Sequence, residues 1–316
     1  MSVIDKTLEN FLILICLCVI AIVLRNRATI LQQEQGVFAR LVTDFALPAL
    51  IFSSLSLEPF HLDRLMPALA MFLSIAVIMA IAWLIGRAMK LSRPVLGSVM
   101  LVAGVGSSST LGYSIVRSVF DNDHHVMNTV VAMGEFGVIL PLFTFGVMVA
   151  MYFGNRDSEA VSAWSALQQF LRSPVFVATV LGIACSHLPL DREQWIISTL
   201  YQLFDIISES LDVLVAFAVG MMLRPIALRQ LAPLIALVAG LKLVGEPALA
   251  WALAGSLDLR PLESDLLVIE AAMPSGTIAA VLAARYGCDG AVASTLVVAT
   301  YLLSLVALPV VILMVL

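Results

Sequence analysis

Long apolar runs separated by short polar loops are the dominant pattern of this 316-residue chain. A helix that crosses a membrane takes about 17–25 mostly apolar residues. Ten stretches meet that measure: 8–24, 37–56, 66–88, 94–118, 125–152, 174–190, 208–223, 231–256, 262–284 and 290–315. The polar stretch Asn155 to Ser173 divides them into two sets of five. The pattern predicts an all-α integral membrane protein with ten transmembrane helices. A first five-helix repeat covers 1–152, a connecting loop 153–173, and a second five-helix repeat 174–316. Residues 191–207, opening on Asp191, Arg192 and Glu193, predict a helix lying at the membrane interface.

Two of the ten runs are interrupted. Gly104-Val105-Gly106-Ser107-Ser108-Ser109-Thr110 breaks the fourth, and Ala272-Met273-Pro274-Ser275-Gly276-Thr277 breaks the ninth. Gly104 lies ten residues beyond Pro94, about 15 Å along a helix axis, and Pro274 lies thirteen beyond Pro261, about 20 Å. Glycines and serines loosen the first run; Pro274 removes a helical hydrogen bond from the second. Irregular backbone at membrane depth is tolerated only where it is buried in protein or lines a cavity. Matched breaks in the two halves point to the central binding site of a secondary transporter. Each second half-helix would then start inside the membrane, its free N–H groups and positive dipole end facing the crossing, which suits an anion. The candidate substrate contacts are Gly106, Ser107, Ser108, Ser109 and Thr110 in one break and Pro274, Ser275, Gly276 and Thr277 in the other. The alternative is that these small residues only allow close helix packing.

The halves repeat weakly. Pro94 and Pro261 stand 167 residues apart, the offset that superposes the breaks, and Trp83 and Trp251 stand 168 apart. The pairs Pro59/Pro67 and Pro225/Pro233 match at an offset of 166. An odd number of spans per half inserts the second upside down relative to the first, giving a 5+5 inverted repeat with crossing broken helices. Lys and Arg in the loops set the orientation. Eleven of them, from Arg25 to Arg285, fall in one set of alternate loops; Lys6, Arg64, Arg117, Arg192 and Arg260 fall in the other. The richer side is expected in the cytoplasm, with both termini outside.

Composition narrows the class. The chain is 61% hydrophobic and 12% charged, whereas a soluble domain is about 25% charged, which excludes an ordinary cytosolic fold. No polybasic run suggests nucleic acid. Cys16, Cys18, Cys185 and Cys288 show no metal-ligand spacing, so neither a metal nor another cofactor is expected.

The buried charges are the remaining candidates. A charge at the bilayer centre costs at least about 2.5–3.5 kcal/mol and is by default a functional hypothesis. Lys242 lies inside the eighth run with Glu246 one turn further. They can neutralise each other at i, i+4, or Lys242 can hold a substrate carboxylate. Glu135 lies inside the fifth run and Glu270 one turn before Pro274. These two, with Glu246 and Asp44, are candidates for a coupling proton or ion. Asp44 follows Arg40 by four residues, so an ion pair with Arg40 is its alternative. The histidines fall in loops or at helix ends, and Asp121 to His125 reads as a solvated loop.

Several motifs together resemble the auxin efflux carrier family, in the bacterial branch that includes malonate transporters. Phe45-Ala46-Leu47-Pro48-Ala49-Leu50-Ile51-Phe52 is similar to that family's signature in the second helix. Ala271-Ala272-Met273-Pro274 through Ala283-Ala284-Arg285-Tyr286-Gly287 is similar to its signature in the ninth, and Gly106 with Leu111-Gly112 resembles its motif in the fourth. The resemblance implies one bundle acting as scaffold and another carrying substrate at the crossing of the fourth and ninth helices, in an elevator-like motion. The family pattern has asparagine where Ser107 and Ile278 stand and proline where Ser114 stands.

The expected function is a secondary carrier of small organic anions, with a dicarboxylate such as malonate as the example, working by alternating access in a bacterial plasma (inner) membrane. The expected partners are the lipid bilayer, the anion, a coupling proton or sodium ion, and a second copy in a homodimer. A sodium-coupled carrier like the bile-acid symporters and an anion channel are the alternatives. An intramembrane enzyme is not expected. A zinc protease needs His-Glu-x-x-His, which is absent, and a serine hydrolase needs a histidine near Ser107–Ser109.

Overall fold

The structure is a computed structural model that describes residues 3–27, 35–57, 65–120, 123–154, 164, 168, 171–188, 194–223 and 228–316. Most of the 153–173 connection, His61, Asp121, Asn122, Pro59, Pro225, Arg64, Arg156, Arg192 and Arg224 lie outside the described residues, as do the side chains of Ser109, Thr110, His124 and His125.

The described residues are almost wholly helical. In order they form α1 (Val3–Asn26), α2 over 35–57, α3 (Leu65–Ala88), α4 (Arg93–Gly104), α5 over 108–119 and α6 over 124–153. The second half forms α7 (Pro174–Ser186), α8 (Trp195–Glu209), α9 (Leu211–Met222), α10 over 228–256, α11 (Pro261–Ala271), α12 (Thr277–Arg285) and α13 (Gly290–Val315). Among the described residues four helices are long and apolar enough to cross a membrane alone: Met66–Ala88, Val126–Phe153, Gln230–Ser256 and Gly290–Val315. Leu12–Asn26, Arg93–Gly104 and Pro174–Ser186 are shorter apolar helices. Each broken run lies between two of the long helices, α4/α5 between α3 and α6, and α11/α12 between α10 and α13.

The sequence starts these helices by known means. Pro94, Pro174 and Pro261 stand in the first turns of α4, α7 and α11, where a missing N–H costs nothing and the fixed φ suits a helix. The Ser173 hydroxyl accepts from the Phe176 N–H at 3.2 Å, and Asp289 accepts from the N–H groups of Ala291 and Val292, capping α7 and α13. The helix expected within 191–207 is α8, which passes into α9 through Ser210 alone, whose own backbone is helical. Along α8 no residue is buried, yet Tyr201 and Asp205 hydrogen-bond Ser56 and Ser53 of α2, which holds it against a neighbour.

Several helices widen by one residue per turn without ending. The wide turns are Val42–Ala46 in α2, Ser108–Gly112 opening α5, Met133–Ile139 and Leu142–Gly146 in α6, and Leu241–Gly245 in α10. Such π-type turns collect at functional sites. Asp44, Glu135 and Lys242 each sit in one, and Glu246 follows one directly.

The outer surface is apolar, with Leu84, Trp251, Val306 and Leu313 more than half exposed, a surface that lipid rather than water covers. The two broken rods run antiparallel, because the exit of α12 packs against the start of α4. The Asp289 N–H donates to Pro94 O at 3.2 Å, and the Ser98 hydroxyl donates to Asp289 O at 2.9 Å. Gly287 turns there at φ +91° with its backbone against Gly154. Only glycine takes that conformation without strain.

Candidate functional site

The fourth and ninth runs both break, and they break against each other. After Gly104 the chain becomes extended at Val105 (φ −100°, ψ 119°), and after Ala271 it becomes extended at Gly276 (φ −64°, ψ 132°). Gly106 and Ser275 form an antiparallel bridge. The Ser107 N–H donates to Pro274 O at 2.9 Å and the Gly276 N–H to Val105 O at 2.8 Å. The Ser275 N–H reaches the Thr300 hydroxyl at 3.3 Å. Three amides expected to face a guest are therefore taken by protein. Leu111 and Gly112 N–H donate to Ser107 O and Ala279 N–H to Gly276 O, so the first-turn amides without a bond along their own helix are those that precede them in α5 and α12. Ser108, Ser109 and Thr110 open α5, and Thr277 opens α12.

Glycine lets the crossing pack closely. A Cβ at Gly106 would stand 2.9 Å from Lys242 Nζ, and one at Gly276 would stand 3.0 Å from Gly106 O. A Cβ at Gly112 would collide with the Glu270 carboxylate. The breaks thus bring Lys242 and Glu270 to opposite ends of one short stretch, Gly106–Gly112.

Lys242 Nζ donates to Glu246 Oε2 at 2.5 Å, with both side chains fully buried. Glu270 is also fully buried, with Ser108 and Lys242 as its electrostatic neighbours. Its two carboxylate oxygens and the Ser108 hydroxyl have no hydrogen-bond partner among the described residues. An unpartnered buried polar group costs about 1–3 kcal/mol, and more when charged. One cation and two carboxyl groups therefore share a buried cluster behind the crossing. Glu135 meets α5, its Oε1 accepting from the Tyr113 hydroxyl at 3.3 Å. Asp44 lies apart from this cluster. Its partner is Arg285 at the end of α12, at 3.0 Å, rather than Arg40, and the Arg285 Nε–H donates to Thr43 Oγ1 at 3.1 Å.

On the opposite face of the crossing is a small cavity of about 30 Å³, room for one or two waters. Gly106, Ser107, Ser108, Gly276 and Thr277 line it from the breaks, Leu50 from α2, and Val138, Ile139, Leu142 and Phe143 from α6. Pro274, Ser275, Lys242, Glu246 and Glu270 do not line it. Sequence reasoning missed Tyr301, whose hydroxyl donates to the Ser107 hydroxyl at 2.7 Å, and Thr300. The available signal was a polar pair at mid-depth in the last apolar run.

The chain matches the family described as membrane transport protein over residues 7–159 and 155–312. It is similar to an uncharacterized transporter of Methanocaldococcus jannaschii, 23% identical over 82% of this chain and 83% of that protein. It is also similar to an uncharacterized transporter of Methanothermobacter thermautotrophicus, 25% identical over 95% of this chain and 96% of that one. Apolar helices, two breaks meeting inside the molecule and this match agree: the chain belongs to the membrane transport protein family and is a transporter rather than an enzyme.

Proposed function

We propose that the protein is a secondary carrier of small organic anions, with a dicarboxylate of malonate size as the first substrate to test. In this reading ten spans form two five-helix repeats, 1–152 and 174–316, inverted relative to each other across the 153–173 connection. Both termini lie outside a bacterial inner membrane. The reading is carried by one observation: the two broken rods pair through an antiparallel bridge while the first turns of α5 and α12 border the same cavity. Two helix N-termini converging on one space favour an anion. Ser107, Ser108 and Thr277 supply hydroxyls to it.

The cavity is too small for a dicarboxylate as it stands. Substrate entry therefore requires α2 and α6 to withdraw from the crossing, which favours alternating access over an open channel. Lys242 and Glu270 do not border this space, so we assign them to coupling rather than to substrate contact. Lys242 offsets Glu246, and a proton on Glu270 leaves the cluster neutral. The buried ammonium already supplies a cation there, which favours a proton over sodium as the coupling ion. The test is uptake of labelled malonate and related mono- and dicarboxylates by proteoliposomes under imposed pH or sodium gradients. Saturable, counter-exchanging uptake driven by a pH gradient supports the reading. Non-saturating current, or uptake that follows sodium alone, overturns it.

A further inference from the structure

A second space lies away from the crossing. A cleft of about 710 Å³ opens between α3, α4 and α6. Met79, Trp83, Met100, Phe145 and Phe153 give it apolar and aromatic walls, and Arg87 and Arg93 stand at one end. Both arginines are exposed. The Arg87 guanidinium lies 5.6 Å from the centre of the Trp83 ring. That of Arg93 lies 4.9 Å from the Tyr152 ring and donates to Tyr152 O at 2.7 Å. Among the described residues neither has a carboxylate partner. The matching position in the second half differs: Arg260, which opens α11 as Arg93 opens α4, is ion-paired with Glu263.

Two guanidinium groups are therefore held in place by ring faces and a carbonyl, and their charge is left uncompensated beside an apolar trough. Aromatic faces fix a cation without neutralising it. A ligand that satisfies both parts carries a negative head and a hydrocarbon tail. Free phosphate would meet the arginines and leave the trough empty. Basic pockets between membrane helices take the head groups of anionic lipids, and arginine pairs with phosphate in two-pronged geometry.

We propose that this cleft binds an anionic glycerophospholipid, its phosphate on Arg87 and Arg93 and an acyl chain along Met79, Trp83, Met100 and Phe145. The floor of the cleft leads to the crossing. Met79 Sδ lies 3.1 Å from where a Cβ on Gly104 would stand, and Gly104 is the last helical residue before the first break. An occupied cleft holds the side chain that braces that break.

The test uses the full-length purified protein. Lipid carried through detergent extraction is counted by native mass spectrometry. Melting temperature is measured with added phosphatidylglycerol, with phosphatidylcholine of the same chains, and with inorganic phosphate alone. The expected result is retained phosphatidylglycerol and a rise in Tm that the other two additions do not give. Arg87→Gln, which removes no hydrogen bond to the fold, is expected to weaken retention about tenfold, and adding Arg93→Gln about tenfold more. An equal rise with phosphatidylcholine or with phosphate alone overturns the proposal. So does undiminished phosphatidylglycerol retention by Arg87→Gln, a variant that does not touch the Arg93–Tyr152 hydrogen bond.

Discussion

A methyl group at position 106 would press on the Lys242 ammonium at 2.9 Å and push it off Glu246. Gly106→Ala is therefore expected to abolish uptake while leaving membrane insertion intact, which proteoliposome flux and expression level together measure. Lys242→Met leaves Glu246 buried without its cation, and breaking such a pair costs about 3–5 kcal/mol. The double variant Lys242→Met, Glu246→Leu removes both charges and is expected to recover most of the lost thermal stability. If the single and double variants melt alike, the pair does not carry that energy. Glu270→Gln keeps the shape and removes the titrating group next to Ser108 and Lys242, so uptake is expected to lose its pH dependence. An unchanged pH profile removes Glu270 from coupling. At this scale the sequence was legible where spacing alone decides contact. Lys242 and Glu246 are one helical turn apart and meet as i, i+4 neighbours do. Asp44 was not legible, because its partner Arg285 lies 241 residues away. Tyr301 was legible only as half of a polar pair at mid-depth; its bond to Ser107, 194 residues away, leaves no local sign.

Between elements, the Asp44–Arg285 pair ties α2 to the end of α12 across a partly exposed gap, with side chains 41% and 30% exposed. An ion pair so placed contributes about 0–1 kcal/mol to stability. Asp44→Asn is thus expected to change Tm little and to alter transport rate, since in the proposed cycle α2 parts from the crossing for substrate to enter. Gly287, at φ +91° against Gly154, holds the turn that seats α12 beside α4. Gly287→Ala is expected to lose about 1–2 kcal/mol from backbone strain alone, and more from the collision, as a lowered Tm with less folded protein recovered. The breaks themselves were readable because glycine, proline and serine interrupt an apolar run visibly. The bridge between them was not, since pairing of two extended segments 169 residues apart leaves no local trace. The wide turns were equally silent: Met133–Ile139 and Leu241–Gly245 each carry glycine and one charged residue, as ordinary helical turns also can, and one extra residue per turn leaves the composition unchanged.

For the whole molecule, a cavity of about 30 Å³ at the crossing means that the proposed dicarboxylate and this arrangement of helices exclude each other. Leu50 borders that cavity from α2, so Leu50→Ala is expected to widen the range of anions accepted, read as competition of longer dicarboxylates against malonate uptake. Identical competition in both proteins counts against a site on this face. The antiparallel bridge constrains what kind of movement can answer the problem. Separating the two rods would strip Ser107 N–H, Pro274 O, Gly276 N–H and Val105 O of their partners inside the protein, where each bare buried group costs about 1–3 kcal/mol. In the proposed cycle sliding past one another is therefore closed to the rods, which ride as a single carriage. The give has to come from its track, the side-chain contacts with α2 and α6, which can be exchanged one for another at little cost.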